Sequence, residues 1–277
     1  MAVDPPSSID QSQEPELRRK TATAVNRWYD DRMFDFWAIQ RFAGSDFHNY
    51  GYWTPETRTQ MEACEKLMEA LLAFIPNKDG TILDVACGKG ASTGYLCKYY
   101  APQYVTGINI SEKQLRRCRL NAPGCNFLLM NATDMAFRDE SFNDVLCVEA
   151  AMHFVTREKF LSQALGILKP GGRLVLSDIL PGEPDPEENP ICPADRGITR
   201  DEYRELFTQA GFEDVQITDA TTECSIGSRN YSMAQLQTYL HAGKIDSDTF
   251  EDQKARLTAR HRAIGAYLLV CAQKAYK

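Results

Sequence analysis

The chain has 277 residues, 43% hydrophobic and 25% charged, close to the soluble globular average and long enough to bury a core without disulfide or metal staples. Lys and Arg number 31 against 38 Asp and Glu, a net charge of -7 with no long basic run, so polymeric nucleic acid is not an expected partner. The N-terminus has no signal-length apolar core, and no segment approaches about 18 uninterrupted apolar residues, so no membrane span is expected. Nine scattered cysteines without a CxxC pair predict free thiols in a cytoplasmic protein that holds no metal.

In chain order, residues 1–15, rich in Pro, Ser and Gln, are expected to form a disordered tail. A helical cover follows over 16–75, with helical patterns from about Glu16 to Asp46 and from Gln60 to Ile75. Ten aromatic residues lie between Trp28 and Trp53, including all three tryptophans. Such stripes ordinarily bury in a core. The gathering of every tryptophan in one stretch points to a cover over an apolar small-molecule cavity.

After the turn at Pro76–Gly80 the texture changes. TILDVA, YVTGINI, NFLLMNA, FNDVLCVEA and RLVLSDIL are short apolar runs, with helical stretches ending near Tyr100, starting at Ser111, and spanning Arg157 to Leu168. Lys169-Pro-Gly-Gly172 reads as a turn before the fifth run. This alternation means parallel strands with crossover helices, the α/β class. No period of 20–50 residues recurs. The acidic, proline-rich segment 181–198 reads as a loop overhanging the carboxyl edge of the sheet, where ligands bind in this class. Thr199 and Glu202 have the spacing of a helix N-cap and its third helical position. FEDVQITDA is a sixth strand, 228–260 a C-terminal helical insertion, and AIGAYLLVCAQK a seventh strand. The core thus spans 80–277, within a single domain over 16–277.

The chemistry-bearing motif is Asp84-Val-Ala-Cys-Gly88-Lys-Gly90, placed after a strand and before a helix. Glycines here let backbone N–H groups approach a ligand, and a helix N-terminus favours negative charge. Ala91, Ser92 and Thr93 follow, so the third glycine of a nicotinamide dinucleotide fingerprint is missing. The acid four positions before Gly88 matches a cationic ligand group better than a pyrophosphate.

This motif resembles that of the class I S-adenosylmethionine-dependent methyltransferases, with Ala86 in place of the first glycine, and the resemblance extends from about Tyr29 to the C-terminus. The later motifs are similar to those of a small-molecule subgroup that includes natural-product sugar O-methyltransferases, tocopherol methyltransferase-like enzymes and, more distantly, cyclopropane fatty acid synthases. They are Phe47-His-Asn-Tyr-Gly-Tyr-Trp53 preceded by Tyr29-Asp30, Gly107-Ile-Asn-Ile-Ser111 with Gln114, Asn131-Ala-Thr-Asp-Met-Ala-Phe137, Leu168-Lys-Pro-Gly-Gly172, and Phe212. The resemblance implies a Rossmann-like, mostly parallel seven-stranded sheet with strand seven antiparallel between five and six. It implies S-adenosylmethionine as cofactor, contacted by Asp84, Ala86, Gly88, Gly90, Asn109, Ile110, Gln114, Asn131 and Ala132. Asn109 stands where most class I enzymes have an acid that accepts both ribose hydroxyls, and it is expected to share the ribose with Gln114. Asn131 replaces the usual Asp near adenine. Tyr29 and Tyr52 are candidates for the cofactor's methionine end, and either could equally be a core residue. Glu149 is expected to shape the cofactor pocket from its strand end.

Methyl transfer from a sulfonium is an in-line displacement, and with a hydroxyl acceptor a proton must also leave. The subgroup's O-methyltransferases often place a histidine after the fourth strand, paired with an Asp at the end of the fifth. The matching residues are His153 as general base and Asp178 as its support. The alternatives are a structural histidine capping the next helix and an Asp that caps the acidic loop. The implied acceptor is a small, partly apolar metabolite. An N- or C-methyltransferase on the same scaffold, or a member that keeps the cofactor without methylating, stays open.

Overall fold

The computed structural model describes residues 14–34, 45–183 and 198–276. Residues 1–13 of the expected tail and most of the 181–198 loop lie outside the described residues, while Glu14 and Pro15, expected in that tail, open a helix instead. Helix α1 covers Glu14–Arg32 and helix α2 Gln60–Leu72, the latter capped by Thr59, whose side chain accepts from Glu62 N–H. The helical pattern read through Asp46 stops earlier: α1 ends at Arg32, 35–44 lie outside the described residues, and Ser45 to Trp53 is extended or bent chain.

The alternating pattern becomes β1 (Ile82–Val85), α3 (Ala91–Leu96), β2 (Val105–Asn109), α4 (Glu112–Asn121), β3 (Asn126–Leu129) and β4 (Phe142–Val148). There follow α5 (Arg157–Ile167), β5 (Leu168–Pro181), α6 (Arg200–Ala210) and β6 (Phe212–Asp219). The insertion resolves into α7 (Gly227–His241) and α8 (Ser247–Arg262) before β7 (Ile264–Lys274). The sheet order is β3-β2-β1-β4-β5-β7-β6, with β7 antiparallel to both neighbours, as the resemblance implied. Thr199 and Glu202 form a reciprocal capping box on α6. The Lys169–Gly172 turn is absorbed into β5 as a register shift opposite Phe142 and Asp144, with Gly171 at φ 76.

Apolar side chains of the central strands go to opposite faces in turn. Val145, Leu174, Leu176, Leu268 and Val270 pack with Phe160 of α5 and Phe207 of α6. Leu146, Val175, Tyr267, Leu269 and Cys271 pack with Leu67, Met68 and Leu71 of α2. Burial on both faces is why these strands read as continuous apolar runs. Among the described residues no helix is long and apolar enough to cross a membrane, and the described cysteines are free thiols.

One buried acid makes stability depend on pH. Burial pushes the Asp144 carboxyl up to about 7, against the lowering effect of the Tyr100 hydroxyl and of the Arg173 and Lys78 charges. The folded state therefore holds this proton more tightly than the unfolded chain, whose value is about 3.9. The stabilisation is complete below about pH 4 and is lost as the pH rises through about 7. Between pH 5 and 8 the native chain should lose about 2 kcal/mol more unfolding free energy than Asp144→Asn, as read by urea titration. Parallel curves for the two proteins would contradict this.

Candidate active site

The carboxyl ends of β1 to β4 surround a cleft with about 1100 Å³ of space free of atoms, its open mouth included. One stripe of α1 forms its roof: Arg18, Ala22, Val25, Asn26 and Tyr29 recur at helical spacing and line the cleft, with Met33 just past the helix end. No residue of α1 is buried whole, because the face it turns inward meets the cleft, although single atoms such as the Tyr29 hydroxyl and Asn26 Oδ1 are covered.

The floor is the loop after β1. Ala86, Gly88 and Gly90 have φ of 57, 54 and 85, so the chain is left-handed at three alternate positions. Gly90 caps α3, and a Cβ there would lie 2.7 Å from the Cα of Cys118, so α4 packs directly on the loop. Gly88 faces the cleft, and its carbonyl accepts from Asn109 Nδ2 at 3.2 Å. Asp84 lies beneath the loop, 1% exposed, where its Oδ2 accepts from Ser92 Oγ at 2.7 Å and Thr93 Oγ1 at 2.6 Å. Burial pushes its carboxyl up to about 6 despite these two hydroxyls.

Along the cleft, Asn109, Ile110 and Gln114 line the end of β2, and Asn131 and Ala132 follow β3. Asn131 Oδ1 accepts from the N–H and the hydroxyl of Thr133, each at 3.0 Å, so the amide also braces its own turn. Glu149, at φ 50 at the end of β4, accepts from Tyr50 N–H at 2.7 Å and from the Tyr267 hydroxyl at 2.6 Å. It joins the cover to β7 while lining the cleft. His153, 6% exposed, also lines the cleft, and its Nε2 is 2.8 Å from the Tyr29 hydroxyl. Burial, and next the Glu149 charge, raise the Tyr29 phenol far above its ordinary value, so it stays a neutral phenol.

Ten of the sequence-predicted residues thus meet at one cleft, and four are placed elsewhere. Asp84 and Gly90 support the loop from behind. Tyr52 packs into the α2 core, with its N–H on the Ala63 carbonyl. Asp178 is fully buried and does not pair with His153: its Oδ2 accepts from Arg157 Nε at 2.7 Å and from the Tyr203 hydroxyl at 2.9 Å. Its Oδ1 accepts from Arg157 Nη2 at 3.2 Å and from Ile179 N–H at 2.8 Å. A guanidinium matches both carboxylate oxygens, and that match outcompetes an imidazole.

The two described tryptophans do not share the cavity as expected. Trp28 lies edge-on to Tyr29 beneath Arg32, and Trp53 stacks on Tyr231 of α7 at 4.5 Å. Phe36, Trp37 and Phe42 lie outside the described residues.

Sequence reasoning missed the α1 stripe and the pair Lys89–Asp46, 3.0 Å apart with Lys89 6% exposed. Burial pushes the Asp46 carboxyl up, but hydrogen bonds from Asn121, Lys89 and Arg117 outweigh it and hold it below the usual range. The signal for the stripe was the 3-4 spacing itself; nothing marked that face as looking onto space.

A long polar ligand fits these walls. The Oδ1 atoms of Asn26 and Asn49 are buried acceptors without a hydrogen-bond partner among the described residues, and both residues line the cleft. Amino and hydroxyl donors such as those of S-adenosylmethionine would satisfy them. Asn109, Gln114, Asn131, Ala132, Gly88 and Glu149 are the residues that would hold it.

The comparisons agree with this geometry. A family model described as a methyltransferase domain matches residues 83–176. The O-methyltransferase cnsE of Penicillium expansum is 31% identical over 216 residues, 72% of this chain and 75% of that protein. The 27-O-demethylrifamycin SV methyltransferase of Amycolatopsis mediterranei is 28% identical, covering 74% and 79%. Among solved structures, the [4+2]-cyclase SpnF has a TM-score of 0.69 at 19% identity, covering 92% of this chain and 97% of that one. The cyclopropane synthase MmaA2 of Mycobacterium tuberculosis has a TM-score of 0.70 at 18% identity, covering 91% and 98%. With the fold, the loop and these relatives in agreement, the chain belongs to the class I S-adenosylmethionine-dependent methyltransferases of the small-molecule subgroup, an enzyme with S-adenosylmethionine as its cofactor.

Proposed function

We propose that this enzyme O-methylates a small, partly apolar metabolite, using His153 as the proton acceptor, within one catalytic domain over 16–277 in a reducing, cytoplasmic compartment. The observation that carries the reading is the His153–Tyr29 contact at the cleft. The names of the Penicillium and Amycolatopsis relatives support oxygen as the acceptor atom and a natural product as its class. Phe154, Val155 and Val25, beside His153, supply an apolar wall.

Bound S-adenosylmethionine supplies an electrophilic methyl group on a sulfonium. The chain's own contribution is alignment and a path for the proton. The neutral Tyr29 phenol donates to His153 Nε2, which leaves its oxygen free to accept from a substrate hydroxyl. As that hydroxyl oxygen takes the methyl group, its proton passes to Tyr29 Oη and the phenol proton to Nε2. The enzyme ends with a protonated imidazole, which returns its proton to solvent. Alignment contributes roughly 7–11 kcal/mol in well-oriented reactions, and a positioned base typically adds about 10²–10⁴-fold.

The test is turnover of S-adenosylmethionine to S-adenosylhomocysteine against matched panels of hydroxylated, amine and activated-carbon acceptors. Turnover confined to hydroxylated acceptors is the expected result. Turnover on amines or carbon alone overturns oxygen as the acceptor atom. Cofactor binding without turnover on any panel would favour a non-methylating role.

A further inference from the structure

At the end of β2 a set of hydrogen bonds has a direction, set at one end by the Gly88 carbonyl, which accepts from Asn109 Nδ2, and at the other by Asp30 of α1. Asp30 Oδ1 accepts from Ser111 Oγ at 2.7 Å and from Gln114 Nε2 at 2.9 Å. A carboxylate accepts and does not donate, so Gln114 must turn its NH₂ toward Asp30 and its oxygen toward the strand. Gln114 Oε1 then accepts from Asn109 Nδ2 at 3.0 Å, and Asn109 Oδ1 accepts from Ser111 N–H at 3.0 Å. Each amide oxygen has two lone pairs, so each keeps one acceptor site. Asn109 and Gln114 are 6% and 4% exposed and line the cleft, whereas Asp30 stands behind them.

An amide can present either its oxygen or its NH₂, and only the oxygen accepts from a hydroxyl. Asn109 occupies the strand end where an acid would leave no such choice. We propose that Asp30 is a positioning residue for the cofactor's ribose: from α1 it fixes the amide of Gln114, beside an Asn109 amide already set by the Gly88 carbonyl and the Ser111 N–H, so that the Gln114 oxygen joins that of Asn109 as an acceptor for the vicinal diol, the role an acid on β2 would fill. The proposal rests on the cleft being the S-adenosylmethionine site. It makes the seating of α1 and recognition of the diol a single event, since Lys113 Nζ also donates to the Asp30 carbonyl at 2.8 Å.

Calorimetry on the full chain tests it, with S-adenosylhomocysteine and its 2′,3′-dideoxy analogue as probes. Asp30→Asn should weaken S-adenosylhomocysteine about tenfold, the scale of one reoriented hydrogen bond, and the dideoxy analogue less than about twofold. Adding Asn109→Asp to Asp30→Asn should recover affinity for S-adenosylhomocysteine, because a carboxylate at 109 has no wrong orientation. Equal losses on both probes would mean that Asp30 only seats α1, and the proposal fails while the site reading stands. An unchanged affinity for S-adenosylhomocysteine in Asp30→Asn fails it likewise. If the native chain binds neither probe, the site reading fails and takes the proposal with it. A melt of each variant separates these results from misfolding.

Discussion

His153→Ala lowers the single-turnover rate of methyl transfer by about 10²-fold or more and leaves S-adenosylhomocysteine affinity within a few-fold. The split follows from where the ring sits. Its Nε2 faces the Tyr29 hydroxyl, while Asn109, Asn131 and Ala132, the residues proposed for the ribose and adenine, line the cleft from the end of β2 and the turn after β3. Tyr29→Phe should fall between native and His153→Ala, because the imidazole remains but the bridging hydroxyl is gone. Rapid-quench measurements with a hydroxylated substrate read both variants. If His153→Ala keeps most of its single-turnover rate, proton removal does not run through this ring, and a nitrogen or carbon acceptor takes precedence.

Asp178→Ala acts on a different quantity. It removes the Asp178 carboxylate from the Arg157 guanidinium, 2% exposed, and breaking a buried pair on one side costs about 3–5 kcal/mol. For a chain of this size that corresponds to a fall in Tm of roughly 6–15 °C. The pair ties the first turn of α5 to β5, and the Tyr203 hydroxyl adds α6 to the same carboxylate. Methyl transfer per folded molecule should change little at a temperature below the transition. A rate defect as large as that of His153→Ala, with an unchanged melt, would restore Asp178 as the partner of the imidazole.

The contrast between these two acids and bases shows what a linear sequence carries. His153 was legible because the family resemblance implied a histidine after the fourth strand, and that strand end lies at the cleft. Asp178 had the right strand end but the wrong neighbour: Arg157, 21 positions upstream, looked like an ordinary first-turn residue, and nothing local showed that its guanidinium is buried. The sheet was legible from short apolar runs between helices, and the α6 start from Thr199 and Glu202, because both depend on local spacing. Asp30 and Tyr29 depend on how α1 lies across the sheet. Their partners are Ser111, Gln114 and His153, more than eighty residues away, and no periodicity encodes that crossing. Tyr52, Trp28 and Trp53 departed from expectation for a related reason: aromatic weight signals burial, not what is on the other side of the ring.

The antiparallel insertion of β7 between β5 and β6 has a consequence for synthesis. β6 touches the rest of the sheet only through β7, and β7 contributes Tyr267 to Ala272 to the cores on both faces. While the chain is being made, N-terminal portions emerge first and can begin to organise. Here β5 must wait with a bare hydrogen-bonding edge and β6 with no neighbour at all until Ile264–Lys274 has left the ribosome. Closure of the sheet therefore waits until β6, α7 and α8 have all been made. In that interval β5 presents a row of unpaired N–H and C=O groups, the kind of edge on which strands pair wrongly.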